Sequence, residues 1–545
     1  MKTKLFTIFF ALVTSVGTMF AEKIPIGNLY YYLNAEDSTA EVTSCPDYYT
    51  GDITIPTVVN YESIDYKVTS IGSSAFAGCP NMTSITIPEG IEKIGYLAFA
   101  GCRGLTNIII PNSVTDITQN AFNNCDGFPV ENNIRYADTY AMEAVDKTLS
   151  TYSIKEGTRW LGNGVFWSCS NMTSVHLPTS LEYIEYGAFY ECSSLASITI
   201  PVNVKHIEIY TFYGCSNLKT VTHNAKNCLT GKNGNNVGGS LYGSQVESVT
   251  FGNEVERIPN LCCRDMSKLT TITIPNSVKT IGGGAFINCS GLTSMNIPDN
   301  VVKIEGSVFY GCTGLSSITI GKGVAVCDAS AFRDCTNILS IVWNAVDCEM
   351  PQYTLFGTQV ESFIFGADVE TIPDYCCMNM DKLISINIPG RVKTIGKSAF
   401  LGCTGITRMN IPNSVTTIAD WAFWGCSNIT DLRIGNGMLD IGGFAFNQCS
   451  CLKTFTCEAV IPPTCNMGVF YYIDKSIPLY VPAGSEDAYR TAAYWEEFYN
   501  IQAIGAESLE NVSDKVTNNK ILRNGQIYIL MPNGQKYSVI GNQIK

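Results

Sequence analysis

The chain has 545 residues, of which 46% are hydrophobic, and a formal net charge of −13 with a pI near 4.9. This hydrophobic content is sufficient for a large core, so the composition excludes a chain that is disordered over most of its length. The acidic balance argues against nucleic acid as a partner, because nucleic-acid binding needs a basic surface. It also argues against attachment to anionic lipid by charge alone.

Residues 1–21 have the pattern of a secretory signal peptide. Lys2 and Lys4 precede an apolar run at residues 5–16, and small residues lead to Ala21, after which we expect cleavage. The apolar run is too short for a membrane span, and no later stretch approaches the roughly 20 apolar residues that a spanning helix needs. The sequence therefore predicts an exported protein with no transmembrane segment, located at the cell surface, associated with the outer membrane, or secreted.

Residues 22–65 do not follow the repeat described below, and alternate polar and apolar residues. We predict that they form an N-terminal β cap, because the end of a repeat array must be covered to keep its core from solvent.

A 23-residue repeat dominates residues 66–470. Two consecutive copies read NMTSITIPEGIEKIGYLAFAGC, ending at Cys102, and GLTNIIIPNSVTDITQNAFNNC, ending at Cys125. Their shared template is L-x-x-I-x-I-P-x-x-V-x-x-I-G-x-x-A-F-x-x-C. Repeats of about 20 to 50 residues are typical of solenoids, propellers or arrays, in which each unit buries its core against its neighbours.

The template itself predicts a mainly β solenoid. Apolar residues alternate in L-x-x-I-x-I, which is strand spacing. The following proline, for example Pro88, Pro111 or Pro275, ends the strand because it cannot donate to the sheet. The segment V-x-x-I-G then runs back along the opposite wall, and Ala-Phe fills the interior. Successive turns would stack as parallel strands about 4.8 Å apart.

A longer period is superimposed on the short one. The segment FGNEVERIPNLCCRDMSKLTTITIP begins at Phe251 and returns as FGADVETIPDYCCMNMDKLISINIP from Phe365, 114 residues later. This spacing is five turns minus one residue, which indicates duplication of a five-turn block. Counting irregular turns, we predict about 18 turns in all.

One irregular stretch separates Phe122 from Phe166 by 44 residues. Within it, Leu149, Tyr152 and Ile154 occupy the L, I and I positions of the template. We therefore predict a degenerate turn here, within one continuous coil and a single domain.

The C-terminal part leaves the repeat. Residues 471–505 are predicted to be a strand–helix cap, with helical spacing of apolar residues over Glu486 to Phe498. Residues 506–519 form a polar linker. Residues 520–545 contain two Asn-Gly turn signals between alternating runs, which predicts a small three-stranded β module.

These motifs resemble the BspA-like (Treponema pallidum-type) class of leucine-rich repeats over roughly residues 28–505. The resemblance is carried by the template and by the end segments VVNYESIDYKVTSIGSSAF and LYVPAGSEDAY. It implies a bacterial surface or secreted protein that binds other proteins, often in adhesion to host cells or matrix. The last 25 residues resemble the C-terminal sorting modules of secreted Bacteroidetes proteins, which implies a possible role in sorting or anchoring.

The chain contains 23 cysteines, of which 12 recur at one template position. They are either a ladder of disulfides or soft-metal sites, or a column of buried thiols that pack as small hydrophobic groups. We favour the thiol column because Met266 and Met380 replace cysteine in two turns. The vicinal pairs Cys262–Cys263 and Cys376–Cys377 are candidates for binding Cu(I) or Zn, but Cys263 and Cys377 fall at the Phe position and should face inward. Cysteines outside these positions are open to disulfide pairing: Cys45, Cys228, Cys327, Cys348, Cys451, Cys457 and Cys465.

The sequence predicts no enzyme, cofactor or metal site. It has three histidines and no HExxH, GxSxG, phosphate-binding glycine loop or EF-hand loop. His176 lies between two inward positions of a predicted strand, so we expect it to be exposed.

A candidate binding surface follows from the outward position between the two Ile residues of each strand. This position is rich in hydroxyl and amide groups and poor in charge. We call the following residues the front row: Thr86, Thr199, Thr273, Asn296, Thr319, Asn387, Asn410 and Arg433. Threonine also favours strands and keeps a sheet soluble, so composition does not separate binding from solubility. Aromatic residues near the opposite corner are candidate anchors: Tyr96, Tyr183, Tyr186, Trp421 and Trp424.

We therefore expect an exported, non-catalytic scaffold for protein–protein interaction, with a host matrix or cell-surface protein, or another bacterial protein, as ligand. The alternative is a glycan-binding or structural protein of the cell envelope.

Overall fold

The structure is a computed structural model that describes residues 22–231, 239–349 and 355–505, together with the backbone of four C-terminal strands. The predicted signal peptide at residues 1–21 and the predicted linker at 506–519 lie outside the described residues. The fold is a β-solenoid of about 18 turns with almost no helix, which confirms the predicted fold class. No described helix is long and apolar enough to cross a membrane.

The chain divides into two compact units. Unit 1 comprises Met1–Glu131 with Arg135–Met142, and unit 2 comprises Asn132–Ile134 with Glu143–Lys545. The division falls inside the segment that the sequence analysis treated as one continuous coil.

The stretch expected to be a degenerate turn departs from the template. It contains three strands, Val130–Glu131, Ile134–Ala137 and Tyr140–Ala144. Tyr152 and Ile154 are buried as expected, but Leu149 is 38% exposed and does not enter the core. The apolar spacing alone did not reveal the inserted strands.

Unit 1 starts with the N-terminal cap. Its strands are Ile24–Ile26, Leu29–Asn34, Thr39–Thr43, Val58–Tyr61 and Ile64–Ile71. The first three form an antiparallel meander, and the last two form a hairpin. Glu62 and Ser63 both have positive φ at the hairpin turn, as expected of a two-residue turn that matches strand twist.

Each regular turn has a front strand, which carries L-x-x-I-x-I, and a two-residue return strand, which carries the x-I of V-x-x-I-G. The front strands of unit 1 are Gly51–Thr54, Met82–Thr86 and Asn107–Ile109, and they pair in parallel. The return strands Lys93–Ile94 and Asp116–Ile117 continue from the cap strand Ile64–Ile71, also in parallel.

Unit 2 repeats this arrangement. Its front strands are Thr151–Ser153, Ser174–His176, Ser197–Ile200, Thr220–His223, Ser248–Phe251, Ser294–Asn296, Ser317–Ile320, Ser340–Trp343, Ser362–Phe365, Arg408–Ile411, Asp431–Ile434, Thr454–Cys457, Leu479–Val481 and Ile501–Ala503. Its return strands are Trp160–Leu161, Tyr183–Ile184, His206–Ile207, Leu229–Thr230, Arg257–Ile258, Thr280–Ile281, Lys303–Ile304, Val326–Cys327, Thr371–Ile372, Thr394–Ile395, Thr417–Ile418, Asp440–Ile441 and Thr464–Cys465.

The front strands do not form one uninterrupted sheet. In unit 2 they fall into groups of two, three, four and five strands. Two of the interruptions occur at equivalent turns, because the segments around Thr273 and Asn387 form no strand. Thr273 makes only an isolated bridge to Thr250.

The core of each turn is an aromatic column. The rings of Phe286, Phe309 and Phe332 stack at centroid distances of 5.4 and 5.2 Å with nearly parallel planes. The equivalent rings of Phe400, Phe423 and Phe446 stack at 5.2 Å. The 23-residue period therefore places one ring per turn in the same orientation, and each ring covers the face of the next.

The C-terminal cap contains less helix than predicted. The helix spans Glu486–Thr491 and is followed by a 3-10 helix at Trp495–Glu497. Ala492 is extended and Tyr494 has φ of 68°, so the predicted continuous helix to Phe498 is broken there. The break turns Trp495 into the core, where its Nε1 donates to the carbonyl oxygen of Pro463 at 2.9 Å.

The C-terminal module has four strands where three were expected. They are Lys520–Arg523, Gln526–Leu530, Lys536–Ser538 and Gln543–Ile544, and they form an antiparallel sheet.

Candidate functional site

The front row lies at the surface, as strand alternation requires. In Ser197–Ile200, Ile198 and Ile200 are buried while Thr199 is exposed. Six of the eight predicted residues are exposed; Thr319 and Arg433 are half-buried. Within the described residues, the side chains of Thr86, Thr199, Thr273, Asn296, Thr319 and Asn387 have no hydrogen-bond partner, so these groups are open to an external ligand.

The register of the strands places front-row residues beside other threonines at the same outward position. Thr199, Thr222 and Thr250 are direct partners in three parallel strands, and Thr250 bridges to Thr273. This is a row of four threonines over four turns. In the next group, Asn296 is paired with Thr319.

The row is less uniform than the sequence suggested. In unit 1, Thr86 is paired with Ile109, which is 67% exposed. In unit 2, Arg433 is not free: it donates to Asn410 Oδ1 at 3.0 Å and binds Glu458 Oε1 through Nη2 at 2.7 Å. Asn410 and Arg433 are therefore partly committed within the chain.

Charged residues that precede the return strands pair with one another between turns. Glu182 binds Arg159 and Lys205, both at 3.0 Å. Lys226 binds Glu256 at 3.0 Å. Surface ion pairs of this kind add little stability, but they satisfy charges that a ligand would otherwise use.

The predicted aromatic anchors differ in accessibility. Tyr183 is buried, because its ring is stacked between Trp160 and His206. Tyr96, Trp421 and Trp424 are exposed. Lys397 Nζ lies over the ring of Trp421, 4.8 Å from the ring centroid.

A second aromatic group was missed from sequence. Trp167, Tyr190 and Tyr213 follow one another at the 23-residue period and stack at centroid distances of 4.3 and 5.0 Å. The period was the signal that could have identified them. Because the rings cover one another, their edges rather than their faces meet solvent.

A surface groove of about 570 Å³ lies beside the front row of unit 2. Its lining includes Thr199 and His176, together with Asn224, Asn253 and Glu254 from later turns. His176 is an exposed strand residue, as predicted, whereas the other polar residues of this groove were not predicted from the sequence.

The cysteines at the template position are buried, as predicted. Burial raises the pKa of the Cys289 and Cys449 thiols to about 12. Cys263 and Cys377 face inward as predicted. All 23 cysteines are free thiols, and no group of three or more metal-ligating side chains occurs among the described residues.

His176 and His223 lie in different environments. His176 is exposed, with Nε2 3.9 Å from Glu156 Oε1. His223 is buried on the inner side of its front strand, and burial lowers its pKa to about 4. Neither arrangement provides a nucleophile with an adjacent base.

A protein-family model described as the BspA type leucine-rich repeat region matches residues 58–146, 138–265, 235–357 and 370–475. Among solved structures, a leucine-rich repeat protein from Bacteroides ovatus is 23% identical, with 88% of this chain and 100% of that chain covered and a TM-score of 0.30. A leucine-rich cell surface protein from Faecalibacterium prausnitzii is 22% identical, with coverage of 75% and 94% and a TM-score of 0.25.

A leucine-rich repeat protein from T. pallidum is 13% identical, with coverage of 66% and 91% and a TM-score of 0.15. No curated protein matches the chain.

Proposed function

Because the chain belongs to the BspA-type leucine-rich repeat family, we propose that it is an exported, non-catalytic scaffold that binds a protein ligand through its front strands. The family suggests a protein-interaction scaffold. The observation that carries the choice of surface is the row of Thr199, Thr222, Thr250 and Thr273, held in register by parallel strands. A repeat array presents such a row on a rigid backbone, so little order is lost on binding.

The contrast with the return strands supports this choice. Charged residues that precede the return strands are paired between turns, as in Arg159–Glu182–Lys205. Front-row hydroxyl and amide groups such as Thr273 and Asn296 have no such partner among the described residues. A ligand that hydrogen-bonds to Thr273 or Asn296 therefore does not need to break existing side-chain interactions.

For the partner, we propose a host matrix or cell-surface protein, or a protein on another bacterium, so that the chain acts in adhesion. The signal-peptide pattern of residues 1–21 supports export. The C-terminal module at 520–545 is proposed as a sorting or anchoring segment.

Binding arrays separate the protein-binding proposal from its alternative. Purified chain from residue 22 onward is applied to arrays of matrix and cell-surface proteins and, in parallel, to glycan arrays. We expect saturable binding to one or more proteins. Binding to glycans without any protein hit would replace this function by the glycan-binding or envelope-structural alternative.

Location is tested separately. In the producing cell, the full-length chain and a chain lacking residues 520–545 are followed in cytoplasmic, envelope and medium fractions. We expect the full-length protein outside the cytoplasm, and a shift between envelope and medium when the module is removed. A cytoplasmic full-length protein would contradict export.

A further inference from the structure

The front of unit 2 opens between two neighbouring turns. Among the described strands, Ser174–His176 pairs with Thr151–Ser153 but not with Ser197–Ile200. The return strands of the same two turns remain paired, with Tyr183 opposite His206. The opening therefore consists of a missing strand pairing on the front side, while the return side stays paired.

The groove of about 570 Å³ lies at this opening. Pro201 and Val202 supply an apolar part of its lining, and Asn224, Asn253 and Glu254 supply polar groups. No Phe, Tyr or Trp is among its described lining residues, and His176 is the aromatic side chain among them.

The five-turn block is duplicated, so each turn of the earlier copy can be compared with its equivalent in the later copy, which we call the later block. Ser317–Ile320 has the same sequence, SITI, as Ser197–Ile200. There, the preceding strand Ser294–Asn296 is paired with it, and Met295 is buried. In the earlier block, Val175 at the same position is only half-buried. The repeat itself therefore does not require the opening.

Equivalent acidic residues of the two blocks differ in their ion pairs. Asp368, in the segment FGAD, binds Arg391 at 3.2 Å. Its counterpart in FGNE is Glu254, and the position of Arg391 is occupied by Ser277. Glu254 is exposed at the groove. The nearest cation that acts on it is Lys226, which forms its ion pair with Glu256 at 3.0 Å and interacts with Glu254 at longer range.

We propose that this groove binds a lysine or arginine side chain from an extended basic segment of the protein ligand. Glu254 would pair with the cationic group, while the aliphatic stem would lie on Pro201 and Val202. This inference rests on the proposed function, because it describes one anchor point of that ligand.

Labelled hexapeptides test the inference directly. The probes alternate threonine with lysine, with glutamine or with glutamate, and binding is measured by fluorescence anisotropy at low and high salt. We expect the lysine peptide to bind most tightly and to weaken at high salt, because exposed charges are screened. Equal binding of the glutamate peptide would overturn the inference.

Two substitutions, each with a matched control in the later block, localise the binding. E254Q should weaken binding of the lysine peptide by about two- to fivefold, the range expected of an exposed ion pair, whereas D368N should not change it. T199W should fill the groove and reduce binding more than tenfold, whereas T319W should not. Circular dichroism confirms that each variant is folded.

Unchanged peptide binding in both E254Q and T199W would overturn the inference. If those variants also retain a protein ligand found on the arrays, the proposed function stands without this anchor. Absence of any protein hit on the arrays instead contradicts the proposed function itself. Glycan hits that T199W abolishes would assign the groove to a saccharide and overturn the basic-segment inference.

Discussion

The thiol of Cys312 donates a hydrogen bond to the main-chain carbonyl oxygen of Phe286, with 3.0 Å between Sγ and O. Both residues are fully buried, and they belong to successive turns. Ten of the twelve template cysteines make this bond to the carbonyl of the residue at the Phe position one turn earlier. The donors are Cys102, Cys125, Cys192, Cys215, Cys289, Cys312, Cys335, Cys403, Cys426 and Cys449.

We expect Cys312→Val to reduce the free energy of unfolding by about 1 kcal/mol, because it keeps an apolar side chain but removes the S–H donor. Cys312→Ala should cost more, about 2 kcal/mol, since it also leaves a cavity. Urea unfolding gives both values. Met380→Leu, at a template position that already lacks a donor, is the control and should cost less than about 1.5 kcal/mol. An unchanged free energy of unfolding in Cys312→Val would contradict a stabilising role for the hydrogen bond.

The cysteines should also differ in reactivity. Cys451 is exposed, Cys45 and Cys465 are half-buried, and the other cysteines are buried. Because only the thiolate reacts and burial raises the pKa of thiols such as Cys289, we expect rapid iodoacetamide labelling at Cys451 and labelling of the template cysteines only after denaturation.

Intact-mass measurement before and after denaturation counts the labelled thiols. Cys451→Ser should remove the rapid phase. Rapid native labelling of many thiols, or a mass that indicates mostly disulfides, would contradict the buried thiol column.

His223 should make stability depend on pH. Its folded pKa, lowered to about 4 by burial, lies below the ordinary value of 6.5, so the neutral form is favoured in the folded state. The associated stability is fully present above pH 6.5 and is lost as the pH falls from 6.5 towards 4, by roughly 3 kcal/mol in total.

Neither ring nitrogen of His223 has a hydrogen-bond partner in the described structure. His223→Phe should therefore remove this part of the pH dependence. Urea unfolding of both proteins at pH 7, 5.5 and 4.5 makes the comparison. A parallel pH dependence in the two proteins would show that other groups cause it.

The C-terminal cap should depend on one tryptophan. The ring of Trp495 lies 4.9 Å from that of Phe470 and 5.1 Å from that of Tyr489, and its Nε1 binds Pro463. Trp495→Ala should cost about 3–5 kcal/mol. Trp495→Phe should cost less, because it keeps much of the packing. Tyr499→Ala, at a side chain that is 76% exposed, should leave the urea midpoint unchanged.

The repeated core could be predicted from the sequence because its period reflects the stacking of equivalent turns. One ring and one thiol per turn must occupy equivalent places in a stack, so Phe309 and Cys312 were assigned correctly to the interior. Met266 and Met380 indicated an apolar slot, and both are buried. The hydrogen bond made by the thiol was not anticipated, because its acceptor belongs to the main chain, whose position the pattern does not give.

Departures from the repeat were harder to predict. Leu149 fits the apolar spacing but is exposed, although Tyr152 and Ile154 of the same turn are buried. The helix expected to reach Phe498 ends early because Tyr494 adopts a left-handed backbone. The groove at Glu254 depends on a missing strand pairing and a missing arginine, and both become visible only when equivalent turns are compared in three dimensions.

The central claim is that the front strands bind a protein ligand, and single lysine substitutions test it most directly. Surface plasmon resonance gives the affinity of each lysine variant for a ligand identified on the arrays. The substituted positions are the exposed front-row residues Thr86, Thr199, Thr273, Asn296, Asn387 and Asn410. The matched controls are exposed positions of the return side: Leu229, Val302, Val326 and Leu439. We predict that at least one front substitution lowers affinity more than tenfold, as expected at an interface hot spot, and that no return substitution does. Loss of affinity confined to the return positions would contradict the claim.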